Sequence, residues 1–84
     1  MSYYNLKYKK QPAGHTMGPL HTHDFYELEF LVSGERLYFT KSQMYKLQAP
    51  TLLILPPNTT HKFESNDCEV YTLQVSPESL SEDQ

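Results

Sequence analysis

The chain has 84 residues, 38% of them hydrophobic, and a formal net charge of −3. A domain this small buries only about 60–65% of its unfolded surface, so its core is thin and a packing partner would help it. The scattered seven Lys and Arg exclude the basic footprint of a nucleic-acid binder, and the lone Cys68 excludes an intrachain disulfide framework. No apolar h-region opens the chain and its longest aliphatic run, Leu52 to Leu55, is far short of a bilayer span. A soluble cytoplasmic domain is therefore the expectation.

In chain order the pattern is all-β until the last ten residues. Residues 3–10 are tyrosine-rich and read as a first strand or a mobile arm. Residues 11–19 hold two prolines and two glycines, which marks a loop. Residues 25–32 form an apolar and aromatic strand bounded by Asp24 and by a turn at Ser33-Gly34. Residues 36–40 and 44–47 flank Lys41-Ser42-Gln43 as a hairpin. A short buried strand at 51–55 stops at Pro56-Pro57, and strands at 61–64 and 69–75 complete the set. Short strands at intervals of roughly ten residues predict a sandwich or barrel.

The tail changes character. Ser76-Pro77-Glu78 reads as an N-cap, a proline at the first helical position and an early acid, and Ser79 to Glu82 as a second capping box. The sequence ends about two turns later, too short for a helix that is stable alone, which reads as the start of a longer protein's next element. The expected division is an arm and loop at 1–18, a barrel at 19–75 and the start of a helix at 76–84.

The chemistry concentrates in H-x-H-x3-E-x6-G, which is His21, His23, Glu27 and Gly34, with His61 following Pro56-Pro57-Asn58-Thr59-Thr60. Three imidazoles and a carboxylate are donors that suit a borderline divalent metal such as Zn, Mn, Fe or Ni. On a strand, His21 and His23 leave one face about 6.6 Å apart, while Glu27 lies about 13 Å from His23 along a straight strand. Glu27 joins them only if the chain bends, and Asp24 suits a bend. The bland alternatives are a surface histidine pair, or a histidine and a glutamate locking a turn without any ion.

Period-2 alternation puts Tyr26, Leu28, Phe30 and Val32 on one face and Glu27, Glu29 and Leu31 on the other. Taken alone, this makes the glutamate face the wet one. A metal or ligand site needs Glu27 inside, and the apolar strip then faces outward and needs a cover. Glu29 shares the face of Glu27. Two carboxylates in one pocket require that one be protonated or paired with a cation, which favours a polar or cationic effector, or a metal. Seven tyrosines without a tryptophan offer flat faces and hydroxyls for sugar rings, although tyrosine is also an ordinary strand residue. Tyr4 or Tyr8 on the arm and Tyr38 on a strand are the candidates.

These residues resemble the cupin family, whose first motif is G-x5-H-x-H-x3,4-E-x6-G. His21, His23, Glu27 and Gly34 match it, with Gly14 one residue too far upstream. The second motif, G-x5-P-x-G-x2-H-x3-N, is degraded. Pro56 and His61 match, while Pro50, Asn58 and Ser65 replace its glycines and asparagine. Within the cupins, His23 to Leu28 followed by Leu31 to Gly34, then Leu53 to Phe63, then Leu73 to Glu78, is similar to the N-terminal domain of AraC-type transcription regulators.

That resemblance implies a small double-stranded β-helix (jelly-roll) barrel that binds a small effector, often a sugar. His21, His23, Glu27 and His61 would line its pocket, and this chain's own pattern adds Glu29, where the family usually has an aliphatic residue, Tyr38, and Tyr4 or Tyr8 closing over it. It implies a homodimer, no cofactor requirement, no catalysis, and DNA contact only through a separate helix-turn-helix part. The alternatives are a stand-alone metal cupin enzyme, an oxygenase or isomerase with its ion on His21, His23, Glu27 and His61, and a plain oligomerisation module.

Overall fold

Two 14-residue strands carry the fold. The computed structural model describes residues 4–12, 14 and 19–77. Its elements are β1 (Tyr4–Gln11), β2 (Tyr26–Phe39), β3 (Met44–Gln48), β4 (Thr51–Leu55) and β5 (Lys62–Val75), all in one antiparallel sheet. β2 pairs along its whole length with β5, and its other edge is shared by β4, opposite residues 27–31, and β3, opposite 35–39. β1 adds to the free edge of β5.

The all-β expectation holds, and β4 has its expected bounds. Residues 4–11 are a strand, not a mobile arm. The expected hairpin is also present: the Thr40 N–H donates to the Gln43 carbonyl at 2.9 Å, and the Thr40 hydroxyl accepts from the Gln43 N–H at 3.0 Å. The helix expected after Ser76 falls on residues 78–84, outside the described residues.

Two expected boundaries were wrong. Ser33-Gly34 does not end a strand, and residues 61–64 and 69–75 are not separate strands. At each place a bulge keeps one long strand running. Val32 is the extra residue on β2, between the pairs Leu31–Val70 and Ser33–Glu69. Asp67 is the extra residue on β5, between Gly34–Cys68 and Glu35–Asn66. A bulge sets two residues against one, bends the strand and increases its twist. Gly34 at φ +82° and Asp67 at φ +62° supply the left-handed backbone this needs. Each bulge also shifts the alternation by one residue. Inward positions are 27, 29 and 31 before it on β2 and 36 and 38 after it; on β5 they are 63 and 65, then 68, 70 and 72.

The apolar core sits on this inner face in two clusters, Leu31 with Cys68 and Val70, and Tyr38 with Leu55 and Phe63, joined by Leu47. The same side of the sheet also carries a polar layer of Glu27, Glu29, Arg36, His61 and Thr72, all buried. Buried polar groups of this kind are retained only when paired or when they serve a ligand.

Candidate ligand and metal site

Backbone pairing builds the histidine cluster. His21 and His61 form a two-residue bridge, with N–H to carbonyl distances of 3.0 and 2.9 Å. Asn58, at φ +66°, turns the preceding loop and donates its N–H to the His23 carbonyl at 2.6 Å. Asparagine tolerates that backbone conformation, so it can stand where the cupin motif has glycine. The chain bends at Asp24-Phe25, as the spacing required, and this returns Glu27 to the histidines. Glu27 Oε1 lies 3.3 Å from His61 Nε2 and 3.9 Å from His23 Nε2.

Backbone carbonyls hold two of the rings in place. The Nδ1 atoms of His61 and His21 lie 2.7 and 3.2 Å from the carbonyls of Thr59 and Pro19. Donation of Nδ1–H to those carbonyls leaves each Nε2 lone pair free, the tautomer a metal-binding imidazole uses. One donor atom each from His21, His23 and His61 falls within a mutual 4.8 Å. Nitrogens around one tetrahedral ion stand about 3.3 Å apart, so modest side-chain rotation would close the set. His61 Nε2 and Glu27 Oε1 are buried and face each other at 3.3 Å, each without a hydrogen bond to any other group among the described residues. The donor set fits a divalent ion held by the three histidines with Glu27 adjacent.

Protonation follows burial and charge together. Burial pulls the His61 imidazole down, but the facing Glu27 carboxylate and the Thr59 carbonyl outweigh it and raise the pKa. Burial pushes Glu27 up, and His61, Gln74 and His23 together bring it below the ordinary carboxylate value. For His23, burial wins over Glu27 and the pKa is lowered. A raised His61 adds stability in full below the unfolded value of 6.5 and loses it as pH rises through the folded value. A lowered Glu27 adds stability above 4.5 and loses it as pH falls through its folded value. In chelator-treated protein, His61→Gln should therefore lower Tm most between these limits, and the gap to wild type should narrow on going to about pH 8.5. A gap that widens with pH would contradict the pairing.

The second half of the site is a buried ion pair. Arg36 Nη1 donates to Glu29 Oε1 at 2.8 Å, the Thr72 hydroxyl donates to the same oxygen at 3.0 Å, and the guanidinium lies 4.0 Å from the centre of the Phe63 ring. Glu29 is inward and paired with a cation, one of the two states that two enclosed carboxylates allow. Burial nonetheless raises its pKa, with Arg36 opposing. Arg36 is 2% exposed and its Nε has no hydrogen-bond partner among the described residues. Beside this layer a cavity of about 290 Å³ opens on the inner face, lined by Tyr38, Thr40, Tyr45, Leu47 and Leu53. Rings step towards it from the histidines, His61 to Phe63 at 5.7 Å, then Phe63 to Tyr38 at 5.5 Å.

Of the sequence candidates, His21, His23, Glu27 and His61 come together, Glu29 lies in the adjoining layer, and Tyr38 lines the cavity. Tyr4 and Tyr8 do not join them. They lie in β1 opposite Val75 and Tyr71, and the Tyr8 ring meets that of Tyr71 at 5.1 Å on the outer face. Once this segment is a strand, its side chains are committed to the sheet's two sides and cannot fold over the pocket. Arg36, Phe63 and Tyr45 were missed. Arg36 lies seven residues from Glu29, an odd spacing that puts them on opposite faces of a regular strand, and only the bulge at Val32 reunites them.

The sequence matches the AraC-like ligand binding domain family over residues 6–83. The chain belongs to that family. It is 35% identical over 65 residues to the HTH-type transcriptional regulator YfiF of Bacillus subtilis (strain 168), covering 77% of this chain and 20% of that protein. The chain thus spans about a fifth of that relative's length. Among solved structures, a cupin-2 domain protein of Shewanella frigidimarina superposes with a TM-score of 0.71 at 22% identity, covering 83% of this chain and 68% of the other. The polyketide cyclase RemF of Streptomyces resistomycificus gives 0.77 at 12% identity, over 86% and 54%. These likenesses show a cupin fold. No helix among the described residues is long and apolar enough to cross a membrane.

Proposed function

We propose that this AraC-like domain is the small-molecule sensing and dimerisation half of a cytoplasmic bacterial transcription regulator, and that it performs no reaction itself. Its effector is a polar, ring-shaped molecule, a sugar by preference, and DNA is contacted by a separate helix-turn-helix part. The observation that carries this reading is a buried polar cluster on the same face as an aromatic-walled cavity: Arg36 Nε has no hydrogen-bond partner among the described residues, and His61 Nε2 and Glu27 Oε1 face each other at 3.3 Å without a good hydrogen bond. Donors and acceptors left unpaired inside a protein cost stability unless something completes them. Hydroxyl groups can act as both donor and acceptor, and Tyr38 and Tyr45 offer faces for the apolar side of a sugar ring. Binding would bias the domain between two arrangements and so alter how attached units meet DNA.

The test is a thermal-shift panel of pentoses, hexoses and sugar acids on chelator-treated protein. A ligand present at about 100 times its Kd should stabilise by about 2.7 kcal/mol, a shift of several degrees. No response across the panel would overturn the sugar reading.

The three convergent histidines favour a second reading, a metal-holding cupin. A divalent ion there would supply a Lewis acid with open positions for substrate. Metal analysis giving about one ion per chain, lost in both His21→Ala and His61→Ala, would move that reading ahead.

A further inference from the structure

Glu29 and Arg36 neutralise each other inside the domain, at 5% and 2% exposure. Arg36 donates from Nη1 to Glu29 Oε1, the Thr72 hydroxyl donates to the same oxygen, and the Phe63 ring covers one face of the guanidinium. Held on these sides, the guanidinium has its Nε–H left over, buried and without a hydrogen-bond partner among the described residues.

Strand pairing sets this ion pair against the inner cavity. Leu53 stands opposite Glu29 and Leu47 opposite Arg36, and Tyr38 follows Arg36 two residues on along the inner face. All three line the cavity. Its remaining walls, Thr40 and Tyr45, bring hydroxyls and no charge. The rings of Tyr38 and Tyr45 lie 5.8 Å apart and 26° from parallel, a flat surface for the apolar side of a sugar ring. At about 290 Å³ the space is at the small end of ligand sites, which usually run from about 300 to 1,000 Å³, and it suits one ring, not a chain of them.

We propose that the Glu29–Arg36 pair sets the charge of the effector: it admits an uncharged polyol of single-ring size and rejects the matching acid and amine. This deepens the sensing part of the reading above and rests on it. Buried charges persist only when paired, and here the pairing is already complete. A ligand carboxylate drawn to the Arg36 Nε–H meets the Glu29 carboxylate on the same guanidinium. Glu29 is held in place by both Arg36 and Thr72. A ligand ammonium drawn to Glu29 meets the Arg36 charge instead. Each sign therefore finds one attraction and one repulsion at similar range, and neither recovers the hydration lost on entry. A hydroxyl loses far less hydration and serves in both directions. One ligand oxygen accepts from Arg36 Nε–H while a neighbouring O–H donates to a Glu29 carboxylate oxygen. Both bonds are charge-assisted, so the ligand gains their strength without carrying a charge.

Isothermal titration calorimetry on the chelator-treated chain tests this. The probes are L-arabinose, D-xylose, D-glucose, D-galactose and D-mannose, with the uronic acid and the 2-amino sugar of each hexose. At least one neutral sugar should bind, tighter by about 30-fold or more than any charged member. Glu29→Gln keeps the shape of the side chain and an oxygen for Thr72, and removes the charge. It should move the acid-to-neutral affinity ratio towards the acid by about 100-fold and leave the amino sugars excluded. Circular dichroism checks that the variant folds; if it does not, the wild-type ratios decide alone. A wild type that takes an acid or an amino sugar as tightly as a neutral one would overturn the proposal and leave the sensing reading standing. A folded Glu29→Gln whose ratio does not move would do the same. Binding of no probe at all would overturn the sugar reading and this proposal with it.

Discussion

Gly34→Ala should cost this domain about 3–5 kcal/mol, a large part of the roughly 4–13 kcal/mol expected for a chain of this size. The cost has two sources. Gly34 sits at φ +82°, where an L side chain is disfavoured by about 1–2 kcal/mol. A Cβ there would also stand 2.1 Å from the Asp67 carbonyl oxygen and 2.8 Å from the Cys68 Cα. Both obstacles are backbone, in the paired bulge of β5, so no side chain can swing aside. Relief requires the two long strands to separate where Gly34 also accepts the Ala49 N–H at 3.1 Å. Gly14 is the internal control. Its φ is +83° but nothing among the described residues lies within 4 Å of a Cβ added there, so Gly14→Ala should show the backbone cost alone, about 1–2 kcal/mol. Urea titration of both variants checks this. Equal losses would mean the crossing of the two bulges is looser than the distances say.

Glu29→Leu should be nearly as damaging, and a second substitution should reverse most of the loss. Removing the carboxylate leaves Arg36 as an uncompensated charge at 2% exposure, which typically costs about 3–5 kcal/mol. It also takes the acceptor from Thr72. In Glu29→Leu/Arg36→Met the charge is gone as well, and apolar replacements of buried ion pairs are often neutral or stabilising. The double variant should therefore melt well above the single and within about 1 kcal/mol of wild type. If the proposed effector completes Arg36 Nε, the double variant should also lose the stabilisation by ligand, because that Nε leaves with the guanidinium. A double variant no more stable than the single would show that Arg36 contributes packing over Phe63 that methionine cannot replace.

The sequence was most readable where spacing and pairing agree. H-x-H-x3-E with a distant histidine announced the cluster, and Asp24 announced the bend that closes it. Pro56-Pro57 and the residues around Thr40 marked real strand ends. Reading failed where one residue changes the register. Val32 looks like any strand valine, and nothing local says that it is the supernumerary one. Without it, Ser33-Gly34 reads as a turn, Arg36 falls on the wrong side of the sheet, and the ion pair with Glu29 is invisible. The tyrosine-rich start failed for another reason. Its eight residues gain strand structure only by pairing with β5, some sixty residues away, and local composition cannot report that partner.

The alternation along β2 carries two interleaved texts. Glu27, Glu29 and Leu31 are written for the interior, Leu28 and Phe30 for the outer face, letter by letter in the same five residues. After the bulge the script restarts with the order exchanged, and Arg36 and Tyr38 take up the interior text. Composition in this stretch can drift within each text, but length cannot. One residue gained or lost between Glu27 and Tyr38 would send buried charges to the outer face and leucines to the interior in a single step. Natural variation here should therefore arrive as substitutions, with insertions confined to the loops at either end.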